Sequence, residues 1–333
     1  MPSAFNPDLA NPLSLPPQDT WPPTHHRFDE ESVRAVQTAL DIGRPLLLRG
    51  EPGIGKSQLA RAVAVELKVP FLYHVVDERS ERDDLLHHYD AVARLAEAQV
   101  SALNAQRDAD WKSRLAERNF IRPGVLWWAF DWRGAQQQAD QFTKHCRACK
   151  TPASPPGWLP GNAHPCGPVV LIDEIDKADP SVPNGLLECL GNNGFQTTQL
   201  GDGVRLPAGH KPPFVIITTN EERELPAAFL RRCLVLHLQF PKERDAAIAF
   251  LCRRGEQLRQ ELNLTEKLCR TVAECICKDR EEARSRLALP GASEFLELLR
   301  ALAEHCPGDE AAQQKRLEQI SHFVLRKHDA ITP

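Results

Sequence analysis

One eight-residue stretch constrains this chain more than any other. It runs from Gly50 to Ser57, reads G-x-x-x-x-G-K-S, and directly follows the apolar run Pro45-Leu-Leu-Leu48. Glycines at these spacings let the backbone curl around an anion with its N–H groups pointing inward. Apolar residues then recur at helical spacing from Gln58 to Leu67, which completes the strand, loop and helix that such a motif requires. The stretch therefore predicts a phosphate-binding loop.

The loop also predicts how a nucleotide and its metal ion are held. Lys56 would reach the β- and γ-phosphates, and the Ser57 hydroxyl would bind Mg²⁺. A plain glycine turn between a strand and a helix is the alternative, but it leaves the lysine and the serine to chance. ATP and Mg²⁺ are the expected cofactors. The residues predicted to bind them are Gly50, Glu51, Pro52, Gly53, Ile54, Gly55, Lys56, Ser57, Gln58 and Asp173.

A second motif supplies carboxylates. The stretch Val169-Val-Leu-Ile-Asp-Glu-Ile-Asp176 begins with four large aliphatic residues, and a buried parallel strand of this kind delivers acids to the carboxyl edge of a sheet. Asp173 would join Ser57 as a Mg²⁺ ligand, in many such sites through water. Glu174 would orient and deprotonate the water that attacks the γ-phosphate. Acids commonly end strands, so this motif is informative because the phosphate loop precedes it.

Further apolar runs define the fold class. Together with the strands at 45–48 and 169–173, the runs at 71–76, 214–220 and 234–238 predict an α/β protein with a five-stranded parallel sheet flanked by helices. After Pro241 only helical patterns remain. They predict an all-helical C-terminal lid, with helices over 243–262, 265–286, 292–305 and 309–327. The expected division is a proline-rich segment 1–27 without regular elements, a nucleotide-binding core 28–241 with an insertion at 78–167, and a helical lid 242–333.

The insertion carries three features of its own. One helix is expected over Asp83–Gln99, and the aromatic residues between Phe120 and Phe130 are either a docking surface or, as we favour, packing core. Four residues have a spacing of zinc type, but a His-Pro-Cys ligand pair would be strained, so we favour free thiols over a zinc site. These four are Cys146, Cys149, His164 and Cys166.

Composition limits the choice of compartment and partner. The chain has 333 residues and a net charge of −4, so no global field attracts nucleic acid, and a protein or small-molecule partner is favoured. No apolar run is long enough to span a membrane, and the N-terminus lacks the order of a secretory signal. We therefore expect a cytoplasmic protein without a membrane partner, whose ten cysteines are reduced.

Three segments together resemble the MoxR-type AAA+ ATPases over about residues 28–330. They are Leu171-Ile-Asp-Glu-Ile-Asp-Lys-Ala-Asp179, Ile217-Thr-Thr-Asn-Glu-Glu-Arg-Glu-Leu-Pro-Ala-Ala-Phe-Leu-Arg-Arg-Cys233 and Asp83-Asp-Leu-Leu-His-His-Tyr-Asp90. The resemblance implies that Asn220 is the sensor 1 amide, which reads the γ-phosphate. It implies that Arg232, or less favourably Arg231, is an arginine finger that acts on a neighbouring subunit. It further implies a homo-oligomer, usually a hexameric ring, that remodels a protein partner in a chaperone-like way, in many relatives one with a von Willebrand factor A domain.

The chain departs from that family at one position. Many relatives have an arginine shortly after G-A-S at the start of a lid helix, whereas this chain reads Gly291-Ala-Ser-Glu-Phe295. Arg300 is the nearest substitute for this sensor 2 residue, although it lies more than a turn further along. The leading hypothesis is an ATP-hydrolysing ring motor, and the missing arginine keeps a nucleotide-gated scaffold with slow hydrolysis as its alternative. A DNA-acting motor is less favoured.

Overall fold

The structure is a computed structural model that describes residues 5–18, 20–104, 111–145, 157–158, 167–197, 201, 203–282 and 289–324. The strands are β1 (Leu13–Leu15), β2 (Thr24–His26), β3 (Leu46–Arg49), β4 (Phe71–Val75), β5 (His87–Tyr89), β6 (Ile121–Pro123), β7 (Gly157–Trp158), β8 (Val169–Asp173), β9 (Gly194–Phe195), β10 (Val204–Arg205), β11 (Phe214–Thr219) and β12 (Leu234–His237). The helices are α1 (Glu30–Ile42), α2 (Lys56–Leu67), α3 (Arg82–Leu86), α4 (Ala91–Asn104), α5 (Trp111–Arg114), α6 (Val125–Phe130), α7 (Trp132–His145), α8 (Ser181–Asn192), α9 (Ala227–Leu230), α10 (Arg244–Glu261), α11 (Glu266–Glu282), α12 (Ala292–His305) and α13 (Glu310–Val324).

The central sheet has the order β12-β3-β11-β8-β4-β7. Its first five strands are parallel, which confirms the predicted five-stranded sheet. The two-residue strand β7 adds an antiparallel edge beside β4, and the sequence did not predict it because two residues carry no periodic signal. Parallel pairing brings the carboxyl ends of β3, β8 and β11 to one edge.

Helices cover both faces of the sheet because its strands are apolar on both sides. Leu46 and Leu48 pack with residues of α1 and α2, whereas Leu47 faces the cluster that contains residues of α6 and α8. This alternation follows from the two-residue period of a strand. Helix α1 begins where the Asp29 carboxylate accepts a hydrogen bond from the Ser32 amide at 2.8 Å, and it ends at Gly43 with φ 72°.

The N-terminal segment contradicts the expectation that it has no regular element. Strands β1 and β2 pair in an antiparallel ladder, and Leu15 is fully buried against the sheet core. Trp21, between the two strands, contacts Phe71 edge to face with a centroid separation of 6.1 Å. Prolines border these strands instead of interrupting them, a position that a short two-stranded ladder tolerates. The segment therefore closes one face of the core.

The expected single helix over 83–99 is also wrong. Helix α3 ends before His87, strand β5 pairs with β6, and α4 starts only after Asp90, whose carboxylate accepts a hydrogen bond from the Ala93 amide at 2.8 Å. Backbone pairing with β6 and this cap together outweigh the helical propensity of the intervening residues. Trp127 and Trp128 are buried, so the aromatic residues of the insertion form packing core.

Helices α10 to α13 pack on one another around a third apolar cluster. Their positions match the predicted helices within a few residues at each described end. Phe295 is fully buried in this cluster. Within the described part of the chain, none of the helices has the length and apolarity needed to cross a membrane.

Candidate nucleotide-binding site

The predicted phosphate loop connects β3 to α2 at the carboxyl edge of the sheet. Residues 50–55 form the loop, and Lys56, Ser57 and Gln58 are the first three residues of α2. Gly50 has φ 147° and Gly55 has φ 101°, backbone conformations that residues other than glycine rarely adopt. The loop thus leads into the amino end of a twelve-residue helix, where free N–H groups and the helix dipole favour an anion.

Lys56 lies at the centre of the site. Its side chain is 6% exposed, and Nζ donates hydrogen bonds to the Gly50 carbonyl at 2.7 Å, the Glu51 carbonyl at 3.0 Å and Asn220 Oδ1 at 2.7 Å. Burial lowers the pKa of this ammonium, while the nearby carboxylates, first that of Asp173, oppose the shift. The site therefore concentrates one positive charge where the β- and γ-phosphates are expected.

Oxygen ligands suited to magnesium lie beside it. Ser57 Oγ is 3.0 Å from Asp173 Oδ1 and 2.9 Å from Oδ2, and the Thr218 hydroxyl also donates to Asp173. Burial raises the pKa of Asp173, although the hydrogen bonds from Thr218 and Ser57 counteract it. A buried carboxylate with a hydroxyl at hydrogen-bond distance fits the preference of Mg²⁺ for hard oxygen ligands. Sequence patterns missed Thr218, which lies one residue before the final residue of β11.

Glu174 and Asn220 are also brought together. Asn220 Nδ2 donates to Glu174 Oε1 at 3.0 Å, so its amide bridges the carboxylate and Lys56. Lys177 Nζ donates to Glu174 Oε2 at 2.6 Å. Glu174 adopts φ 59° and ψ 46°, a left-handed conformation that costs about 1 kcal/mol for a residue with a Cβ, and strain of this kind clusters at functional sites.

Asp176 is a site residue that the sequence analysis quoted without assigning it a role. It is 2% exposed, and its carboxylate accepts hydrogen bonds from the backbone N–H of Asn220 at 3.4 Å and from the backbone N–H of Glu222 at 2.9 Å. These bonds fix the turn that follows β11, and so the position of the Asn220 side chain. Its place in the acidic motif was the signal that could have identified it.

The helical lid contacts the loop through Ser293, in the segment where the sensor 2 arginine was expected, and through two arginines that no sequence signal indicated. Arg280 Nη2 donates to Glu51 Oε2 at 2.7 Å, and Ser293 Oγ donates to the Gly53 carbonyl at 3.3 Å. Arg254 lies over Gly55. Arg300 lies about two helical turns beyond Ser293 along α12. These lid contacts to the loop therefore come from residues other than this expected substitute.

Arg231 and Arg232 do not join this group. They follow α9 and are separated by Cys233 from β12, whose Leu234 pairs with Leu46 at the amino end of β3. The loop begins at the other end of β3, which is roughly 13 Å away for four residues of strand. Both arginines are exposed. The other predicted ligand set, Cys146, Cys149, His164 and Cys166, lies outside the residues that the structure describes.

Comparison with known proteins identifies the family of this chain. Residues 45–233 match the sequence model of the AAA domain, dynein-related subfamily. No curated protein sequence matches the chain. Among solved structures, a point mutant of RuvB from Thermotoga maritima has a TM-score of 0.45 and 13% sequence identity, over 87% of this chain and 68% of that one. A second Thermotoga maritima RuvB structure, described as a Holliday junction branch migration motor, has a TM-score of 0.43 and 13% identity, over 87% of this chain and 67% of that one.

The family match covers more than half of the chain and includes the loop, the Asp173 strand and Asn220. These are the residues that the structure gathers around Lys56. The chain belongs to the dynein-related subfamily of AAA domain proteins, and it is an ATPase.

Proposed function

We propose that this ATPase assembles into a ring, of hexameric size as in MoxR-type proteins, in which each ATP is hydrolysed by residues of two neighbouring subunits. The observation that carries the proposal is the position of Arg232. It is exposed at the amino end of β12, whereas the phosphate loop of the same chain lies at the carboxyl end of the sheet. A guanidinium so placed cannot serve its own site, but it suits an interface where it meets a neighbour's γ-phosphate.

Within each site the roles follow from the contacts. Lys56 would neutralise the β- and γ-phosphates, and Ser57 with Asp173 would hold Mg²⁺, which supplies further positive charge to the phosphates. Glu174 would accept the proton of the attacking water. Asn220 bonds both Lys56 and Glu174, so it would keep the water-activating carboxylate aligned with the phosphate charge.

The proposed substrate is a protein that the ring remodels in the cytoplasm through an adaptor with a von Willebrand factor A domain. The net charge of −4 supports a protein partner over a DNA track, since a nucleic-acid motor needs a basic surface to hold phosphates. Glu174→Gln should trap the ATP-bound ring with its partner. Recovery of the same protein with Glu174→Gln and ATP, but not with Lys56→Ala, is the expected result.

Mixing two inactive variants tests the shared site. Arg232→Ala should bind ATP as wild type does and lose roughly 10³-fold in turnover. Lys56→Ala should fail to bind ATP but still offer its Arg232 to a neighbour. A one-to-one mixture should therefore recover up to roughly a quarter of wild-type turnover, because half of the subunits bind ATP and half of their neighbours carry the finger.

Arg231→Ala is the matched control for the finger, because it removes the same group one residue away. We expect it to keep most of the activity. If the mixture stays inactive although both variants enter one oligomer, the shared-site mechanism is wrong. If wild type assembles with ATP but turns over no faster than Arg232→Ala, the scaffold alternative replaces the motor.

A further inference from the structure

Arg254, on the lid helix α10, lies directly over the phosphate loop. Its Nη1 is 2.8 Å, its Cζ 3.6 Å and its Nη2 3.8 Å from the point where a Cβ on Gly55 would stand. Gly55 precedes Lys56 and caps the amino end of α2. Because glycine has no side chain, the guanidinium can approach the backbone of the loop at the position where N–H groups face an anion.

Arg254 lacks a carboxylate partner of the kind that Arg280, the other arginine at the loop, has. Arg280 bonds the Glu51 carboxylate, whereas in the described part of the chain Arg254 has no hydrogen bond to a carboxylate. Its guanidinium stacks on Phe250, with Cζ 5.1 Å from the ring centroid. Burial lowers the pKa of Arg254, and the Asp29 carboxylate opposes this shift from a distance. An arginine in these surroundings stays charged and would gain from an anionic partner.

We propose that Arg254 is a nucleotide-contacting residue, which donates hydrogen bonds to a phosphate of ATP from the lid side while Lys56 binds the phosphates from the sheet side. The proposal rests on the ATP site described above and names a cation that neither the loop motif nor the family resemblance supplies. It also accounts for the missing sensor 2 arginine at Gly291–Phe295, because a different lid helix would provide the positive charge. The flat guanidinium fork suits phosphate oxygens better than an ammonium does.

The affinity of the full-length protein for ATP tests the contact. A hydrogen bond between charged groups is worth about 1.5–3 kcal/mol, so Arg254→Gln should raise the Kd by roughly 10- to 150-fold. Arg254→Lys should recover part of this loss, because it restores charge without the fork. The matched control is Arg253→Gln, which removes an exposed arginine from the neighbouring position of the same helix and should leave the Kd unchanged.

A measurement on wild-type protein keeps the test independent of how the variants fold. Phenylglyoxal modifies accessible guanidinium groups, and peptide mass spectrometry reports each site. Saturating ATP should protect Arg254 from modification and leave Arg253 reactive. Equal modification of Arg254 with and without ATP, or a Kd for Arg254→Gln within twofold of wild type, overturns the inference alone. If Lys56→Ala also binds ATP like wild type, the loop is not the ATP site and the proposed function fails as well.

Discussion

Replacing Gly50 with alanine should destabilise the protein far more than the same change at Gly43. An alanine Cβ at Gly50 would stand 2.3 Å from the Leu238 carbonyl oxygen, whereas real Cβ atoms essentially never come closer than 3.0 Å. Leu238 cannot move away freely, because its amide donates to the Arg49 carbonyl at 2.9 Å. We estimate about 1–3 kcal/mol for the backbone conformation at φ 147° and about 1–3 kcal/mol for displacing the neighbouring strand.

Gly43→Ala is the control because it isolates the conformational cost. Gly43 also has a positive φ, 72°, but nothing lies within 4 Å of its Cβ position, so we expect about 1 kcal/mol. Urea unfolding, followed by tryptophan fluorescence, should give the two free energies of unfolding, provided that the slope with denaturant is unchanged. The Kd for ATP should rise at least about tenfold only in Gly50→Ala, because the Gly50 carbonyl positions Lys56 at 2.7 Å.

Equal destabilisation by the two substitutions would refute this reasoning. It would mean that Leu238 does not approach the loop as closely as the structure indicates. A large loss of stability in Gly50→Ala with an unchanged Kd for ATP would instead separate the two effects. The steric argument would then stand, and the link from Gly50 to the position of Lys56 would be wrong.

Three further predictions concern polar side chains. Burial, and next the charge of Arg254, lower the pKa of His26 to about 3. Below pH 6.5 this histidine is protonated in the unfolded chain but stays neutral in the folded chain, so wild type loses unfolding free energy as the pH falls. His26→Phe removes this effect, and urea titrations at pH 7 and pH 5 should show that the variant loses about 2 kcal/mol less than wild type between them. Asp176→Ala should lower the free energy of unfolding by about 2–4 kcal/mol, because two backbone N–H groups lose their acceptor. It should also lower kcat, because the turn that positions the Asn220 side chain is no longer held. A double-mutant cycle with Glu51→Gln and Arg280→Gln should give a coupling of about 0.5–1 kcal/mol, since Glu51 is partly exposed, and additive single effects would contradict the contact.

Sequence patterns predicted the sheet and the loop because each depends on neighbours in the chain. A short apolar run identifies a buried strand wherever it pairs, and the phosphate loop needs only eight adjacent residues. The carboxyl edge of a parallel sheet then brings Asp173 and Asn220 to the loop without further information. Short elements could not be predicted in this way, because strands such as β5 are stabilised by a partner distant in sequence and their own residues are equally compatible with a helix.

Contacts between the lid and the loop could not be predicted for a different reason. Arg254 and Arg280 lie about two hundred residues beyond the loop, and an arginine on an amphipathic helix usually faces solvent. Nothing in their spacing distinguishes them from the other arginines of α10 and α11. Only the packing of the lid against the core selects them, and that packing depends on the shapes of both surfaces together.

The three lid contacts have a consequence for how ATP can act on the fold. Glu51, Gly53 and Gly55 alternate along the loop, and each is contacted from a different helix, α11, α12 and α10 respectively. The loop that would bind the phosphate is therefore in contact with all three of these lid helices. If binding and hydrolysis change these contacts by about 1–3 kcal/mol in total, the equilibrium between two lid positions shifts roughly 5- to 150-fold. In the proposed ring, that range would be enough to turn the state of one nucleotide into a movement of the lid against the neighbouring subunit.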